Sequence, residues 1–108
     1  MMLNFEYIEI EKALIPYRFE VELGAELFLI EIRYNELHDY FTLDLQKDGE
    51  VLVYGEKLVY AMPLFSEVFD SRYPAPTIIP LDESGKETRV TYENLNKTVF
   101  LKLVNNNE

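Results

Sequence analysis

Between Tyr40 and Tyr54, two runs of alternating apolar and polar residues flank an Asp48-Gly49 dipeptide, and no other local pattern narrows so sharply what this chain can become. Phe41, Leu43 and Leu45 alternate with Tyr40, Thr42 and Asp44, and Val51-Leu52-Val53-Tyr54 follows the dipeptide. Successive side chains of a strand point to opposite faces, and Asp-Gly accepts the positive φ angles of a tight turn, so the stretch reads as a β-hairpin. Gly55-Glu56-Lys57 is placed to bulge or bend the second strand before Leu58-Val59-Tyr60 continues it.

The same alternation recurs from Phe5 to Ile10 and from Tyr17 to Leu23, where Tyr17, Phe19, Val21 and Leu23 face one side and Arg18, Glu20 and Glu22 the other. Pro16 stands at a strand's first position, where a missing donor costs little. Gly24 supplies a turn into a strand from Leu27 to Tyr34, with Phe28, Ile30, Ile32 and Tyr34 on one face and Leu27, Leu29, Glu31 and Arg33 on the other. Because the first half of that strand is apolar on both sides, it is expected to be central, or covered on its outer face by another segment or subunit. An Asn35 to Asp39 turn leads into the hairpin.

From Met62 to Pro80 four prolines interrupt an apolar sequence, which predicts a helical turn near Ser66 to Phe69 and then extended chain. Asp82 to Gly85 reads as a turn, Glu87 to Val90 as a short strand, Thr91 to Leu95 as one helical turn capped by Thr91, and Thr98 to Val104 as the closing strand. The sum is an all-β fold, a small single-domain barrel or compressed sandwich of about seven or eight short antiparallel strands with one or two short helical turns. Residues 1–104 form that domain, and the tail 105–108, Asn105-Asn106-Asn107-Glu108, is expected to fray.

Composition bounds the rest. A chain of 108 residues with 48% apolar residues, including 15 aromatics (8 Tyr and 7 Phe), fits one core, and 4 Gly and 5 Pro argue against disorder. No run reaches the roughly 18 apolar residues of a membrane helix, and no signal-peptide pattern opens the chain, so a soluble, unprocessed protein with no membrane association is expected. No cysteine is present, which fits a cytoplasmic site of synthesis and excludes disulfide or thiolate chemistry. Twenty acidic against 10 basic residues give a net charge of −10, and the scattered basic residues disfavour direct nucleic-acid binding.

No catalytic cluster emerges. His38, the one histidine, adjoins Asp39 in a turn without a companion nucleophile motif. Glu9 with Glu11, and Glu20 with Glu22, share strand faces, a pairing that a glycosidase would also need, but alternating glutamates are what the wet face of any strand looks like. The Asp48 and Asp82 turns are too short for a calcium loop, and no glycine-rich phosphate cradle occurs, so neither metal nor cofactor is expected. Tyrosine brings large apolar area at low entropic cost, and proline-fixed chain is cheap to order against a partner. The candidate interface residues are therefore Leu27 and Leu29 on the doubly apolar strand, and Arg72, Tyr73, Pro74 and Pro76 in the proline-rich segment.

One ordered set of residues carries a resemblance. Ile15-Pro16, Gly24, Tyr34-Asn35, Phe41 with Leu43-Asp44-Leu45, Gly49, Gly55, Leu58-Val59, Pro80-Leu81-Asp82, Gly85, Arg89, Leu95 and a final apolar strand resemble the baseplate plug family of tailed bacteriophages over nearly the whole chain. Family members often carry tryptophan where this chain has Phe41 and glutamine beside the position of Gly24. The resemblance implies a non-enzymatic structural protein of the virion, seated in the central hub of the tail baseplate. The implied partners are hub or tube proteins, with tape-measure or spike protein as further contacts. Rings close by head-to-tail contacts, so a homo-oligomer with threefold or sixfold symmetry is expected. The alternative from another class is a small soluble β-barrel binding module for a peptide or carbohydrate; a third, a carboxylate-based hydrolase, requires two acids in one pocket.

Overall fold

A computed structural model describes residues 6–66, 68 and 70–104, folded as two antiparallel sheets around one core. Strands β1 (Glu6–Ile8), β7 (Phe100–Val104) and β6 (Thr77–Leu81) form one sheet in the order β1-β7-β6. Strands β2 (Tyr17–Leu23), β3 (Glu26–Asn35), β4 (Tyr40–Lys47) and β5 (Glu50–Lys57) form a four-stranded meander. The sheets do not close into a barrel; of the two expected architectures, the layered one holds.

Alternation decides which faces meet. Phe28, Ile30 and Ile32 of β3, with Phe41, Leu43 and Leu45 of β4, point inward and are buried, and Ile8, Ile78 and Leu101 meet them from the second sheet. Leu58, Leu64, Val90, Leu95 and Val99 close the margins of this core. The two hairpins turn as their residues dictate. Asp48 (φ 52) and Gly49 (φ 79) link the pair Lys47 and Glu50, and Gly24 (φ 61) and Ala25 (φ 67) link Leu23 and Glu26, so both are two-residue turns with positive φ at each position.

Gly24 is held to glycine twice over. A Cβ there meets Pro76 Cδ at 3.0 Å and Ala75 Cβ at 3.2 Å, in addition to the positive φ. Gly24→Ala is expected to lower stability by about 1–2 kcal/mol. Ala25→Gly should do the opposite, gaining about 0.5 kcal/mol, because relief of the left-handed strain slightly exceeds the added unfolded-state entropy. Urea unfolding of the two variants reads the opposed signs.

Gly55 does bend β5. Leu43 pairs with Glu56 but Leu45 with Val53, and Gln46 with Val51, so β5 carries extra residues on both sides of Val53. The Gly55 N–H, displaced from the ladder, donates instead to Asp44 Oδ1 at 2.8 Å. After that bulge the strand ends at Lys57; Leu58 still donates its N–H to the Phe41 carbonyl at 3.0 Å, and the chain then turns at Val59 to Met62.

Other expectations are corrected. The proline-rich stretch contains a true strand, β6, because its partner is the last strand of the chain and its far edge takes the N–H groups of Ala61 (to Pro80 O, 2.8 Å) and Leu64 (to Ile78 O, 2.8 Å). Glu87 to Val90 is not a strand; there the Glu87 N–H and the Arg89 carbonyl are satisfied by the side chains of Asp82 and Asn94. A 3-10 turn at Lys12–Leu14 was not foreseen. Thr91 does cap a turn, accepting the Asn94 N–H on its hydroxyl at 3.1 Å. The turn expected at Ser66 to Phe69 is represented by a Val68 N–H to Phe65 carbonyl bond of 3.1 Å, while Glu67 and Phe69 lie outside the described residues, as do Phe5 and the tail 105–108.

Candidate functional site: the two ends of one sheet

The outer face of the meander divides in two. Arg18 of β2, Glu31 and Arg33 of β3 and Asp44 of β4 form a ladder of ion pairs across three strands, with contacts of 3.1, 3.0 and 2.8 Å. Arg33 also lies over the Tyr54 ring, 5.0 Å from its centroid. Asp44 is the buried acid of this ladder, held on one oxygen by Arg33 and on the other by Gly55 N–H. Toward the Asp48-Gly49 end the same face turns apolar. Leu29 stands between Glu20 of β2 and Gln46 of β4, Leu27 lies opposite Glu22, and Val51 lies opposite Gln46. Leu27 is 57% and Val51 53% exposed, so no described segment of the chain shields this surface.

The proline-rich candidate segment lies at the same end. Arg72 bridges Asp70 (2.6 Å) and Glu50 (2.9 Å), and its guanidinium holds the Asp70 carboxyl down at about 2. Tyr73 is committed to the fold, donating its hydroxyl to the Leu52 carbonyl at 2.7 Å and setting its ring edge-on to Phe65. Pro76 and Ala75 press on the Gly24 turn, while Pro74 and Pro76 line a groove with Pro63 and Phe65. Leu27 and Leu29, far from residues 72–76 in sequence, are thus brought to one end of the sheet with them.

The opposite end is built by the Asn35 to Asp39 turn. Asn35 Oδ1 accepts the His38 N–H at 3.0 Å, and Asp39 adopts φ 56. The Asp39 carboxylate accepts the Tyr34 hydroxyl at 2.6 Å and the Tyr92 N–H at 2.9 Å, with Arg89 at 3.7 Å. It is therefore bound to groups other than the adjacent His38. These residues border a cavity of about 410 Å³ whose wall carries His38, Tyr40, Lys57 and Arg89 above a floor of Leu58 and Val90. Lys57 Nζ sits 4.5 Å from the Tyr40 ring centroid and has no carboxylate partner among the described residues. Sequence reading placed the turn but not the cavity, because Asp39 and Arg89 meet across 50 positions with no local pattern to announce it.

The hydrogen bond to Asp39 pushes the Tyr34 hydroxyl up to about 12, helped by burial and by the carboxylate's charge. In turn the Tyr34 hydroxyl and the Tyr92 N–H hold Asp39 below its ordinary value of 3.8. A raised tyrosine favours the folded state below its unfolded pKa of 10.0, and that contribution is lost as pH rises from 10.0 to about 12. A depressed carboxyl contributes above 3.8 and loses its contribution as pH falls below that value. Thermal unfolding followed against pH should fall on the alkaline side in the natural chain, and Tyr34→Phe should flatten that limb.

A separate carboxylate, Asp82, organises the loop after β6. It is buried and accepts the Ser84 N–H and hydroxyl (2.9 and 2.8 Å) and the Lys86 and Glu87 N–H groups (both 3.0 Å). Burial alone raises its pKa, but these bonds outweigh it and the net direction is down. Among the described residues no three His, Asp or Glu side chains gather as a metal cage.

The family model described as "Cyanophage baseplate Pam3 plug gp18" matches residues 5–106, nearly the entire chain. The chain belongs to this baseplate plug family. No curated protein matches it closely enough to add a relative. Membership of the plug family assigns a structural role in the phage baseplate and places the protein in the virion tail.

Proposed function

We propose that this plug is a non-enzymatic component of the central hub of the baseplate, made in the bacterial host cytoplasm. It contacts hub or tube proteins through the apolar end of the meander during tail assembly. Family membership over residues 5–106 carries the reading. The uncovered Leu27 and Val51, on a sheet face that the chain leaves open, support the location of the contact. Leu27 and Leu29 form its apolar centre, with Arg72, Pro74 and Pro76 at its rim and Tyr73 bracing the segment from beneath. Tape-measure or spike protein are further partners, and copies of the plug stand in a threefold or sixfold ring. The charge of −10 suits a wall past which DNA moves without adhering.

The test is capture of the purified plug by the hub protein encoded in the same phage. The natural chain should be retained, and Leu27→Lys should weaken retention about tenfold or more with its melting temperature unchanged, since Leu27 is exposed. Equal retention of Leu27→Lys and the natural chain would remove this face from the contact. Failure of the natural chain to bind any hub, tube or spike protein would remove the reading itself.

A further inference from the structure

The two ends of the meander differ in charge as well as in shape. Among the residues lining the cavity, Lys57 and Arg89 stand against one acid, Asp39, whose carboxylate already serves Tyr34 and Tyr92. At the other end, Glu20, Glu22 and Asp48 are exposed and form no ion pair among the described residues. Strand β4 separates the two ends by eight residues, or about 25 Å at the rise of an extended strand. The Asp48-Gly49 turn is also slender and free-standing: a Cβ placed on Gly49 meets nothing within 4 Å.

We propose that the cavity walled by Lys57 and Arg89 receives the Asp48-Gly49 hairpin tip of a second copy of this chain. The Asp48 carboxylate docks between the Lys57 ammonium and the Arg89 guanidinium. The Tyr40 hydroxyl, which accepts the Asn35 amide at 3.3 Å, keeps its own O–H to donate to the incoming group. Buried Leu58 and Val90 make the floor dry enough for these contacts to matter. The contact joins different surfaces on the two copies, so it is head-to-tail and can be repeated around a ring. It deepens the ring in the proposed function and rests on that part of it, while leaving the hub-binding face at Leu27 free to be judged separately.

Sedimentation velocity of the full chain tests it. The natural chain should self-associate with rising concentration, and the association should weaken as salt rises through about 0.1 M and shortens the screening length. Lys57→Glu with Arg89→Glu, and separately Asp48→Lys, should each weaken self-association about tenfold or more while circular dichroism shows the fold retained. Asp48→Asn, which tolerates the positive φ, serves as the milder tip variant. Mixing the cavity variant with the Asp48→Lys variant should restore assembly, because each acidic group then again faces a basic one. A natural chain that stays monomeric at every concentration overturns the proposal, as does association indifferent to these substitutions or a mixture that does not recover. Hub capture is measured on the natural chain as well: a natural chain that is captured by the hub yet does not self-associate sinks the tip-in-cavity contact and leaves the plug reading standing.

Discussion

Phe41→Ala is expected to cost about 3–5 kcal/mol, a large share of the roughly 5–15 kcal/mol that stabilises an ordinary domain. Phe41 is fully buried at the start of β4, where its ring packs against Tyr34 at 4.8 Å and lies parallel to Tyr92 at 6.2 Å. Truncation removes the apolar body that joins the meander to the Tyr92 loop and leaves a cavity whose walls, pinned by the Asp39 bonds, cannot collapse into it. Phe41→Leu keeps most of the volume and should cost about 1 kcal/mol. Urea titration decides: the midpoint should fall in that order with the slope unchanged. A Phe41→Ala variant as stable as Phe41→Leu would mean that the aromatic cluster is not a structural joint.

Asn94→Ala is expected to lose about 2–4 kcal/mol, because the buried Asn94 amide makes three side-chain hydrogen bonds that alanine cannot replace. Asn94 Oδ1 accepts the Thr91 N–H at 2.8 Å, and its Nδ2 donates to the Arg89 carbonyl at 2.9 Å and to Glu87 Oε1 at 3.1 Å. Its own carbonyl takes the N–H groups of Lys97, Thr98 and Val99. One residue therefore supplies the hydrogen bonding that a strand would have supplied across this stretch. Asn94→Asp keeps the size and the Thr91 bond but sets a carboxylate against Glu87. Its deficit relative to the natural chain should shrink as pH is lowered toward the carboxylate range. An Asn94→Asp deficit independent of pH would show that Glu87 does not feel this side chain.

These two sites mark where sequence reading ends. Strands β2 and β4, and most of β3, were legible because period-two patterning and two-residue turns are local signals, as was the bulge at Gly55. Strand β6 was hidden: Pro76 and Pro80 argue against a strand on local grounds, and only pairing with β7, more than twenty residues later, makes one. The expected strand from Glu87 to Val90 failed for the opposite reason, since its backbone is bonded by the side chains of Asp82 and Asn94 rather than by a neighbouring strand. At the candidate site, exposed Leu27 followed from a strand apolar on both faces. The cavity depends on Lys57 and Arg89 converging from distant loops, for which no spacing rule exists.

The order of strands in the smaller sheet also bears on how the molecule comes into being. Strand β7 lies between β1 and β6, yet it is made after both, and β1, nearly a hundred residues earlier, has no other strand to pair with among the described residues. The meander is assembled from neighbours and closes short loops, which favours its early formation on the ribosome. The second layer has to wait for Leu101 and Leu103 to emerge before Ile8 and Ile78 are covered. A chain whose synthesis stops before residue 100 holds a four-stranded sheet with a greasy open side, a substrate for chaperones and proteases.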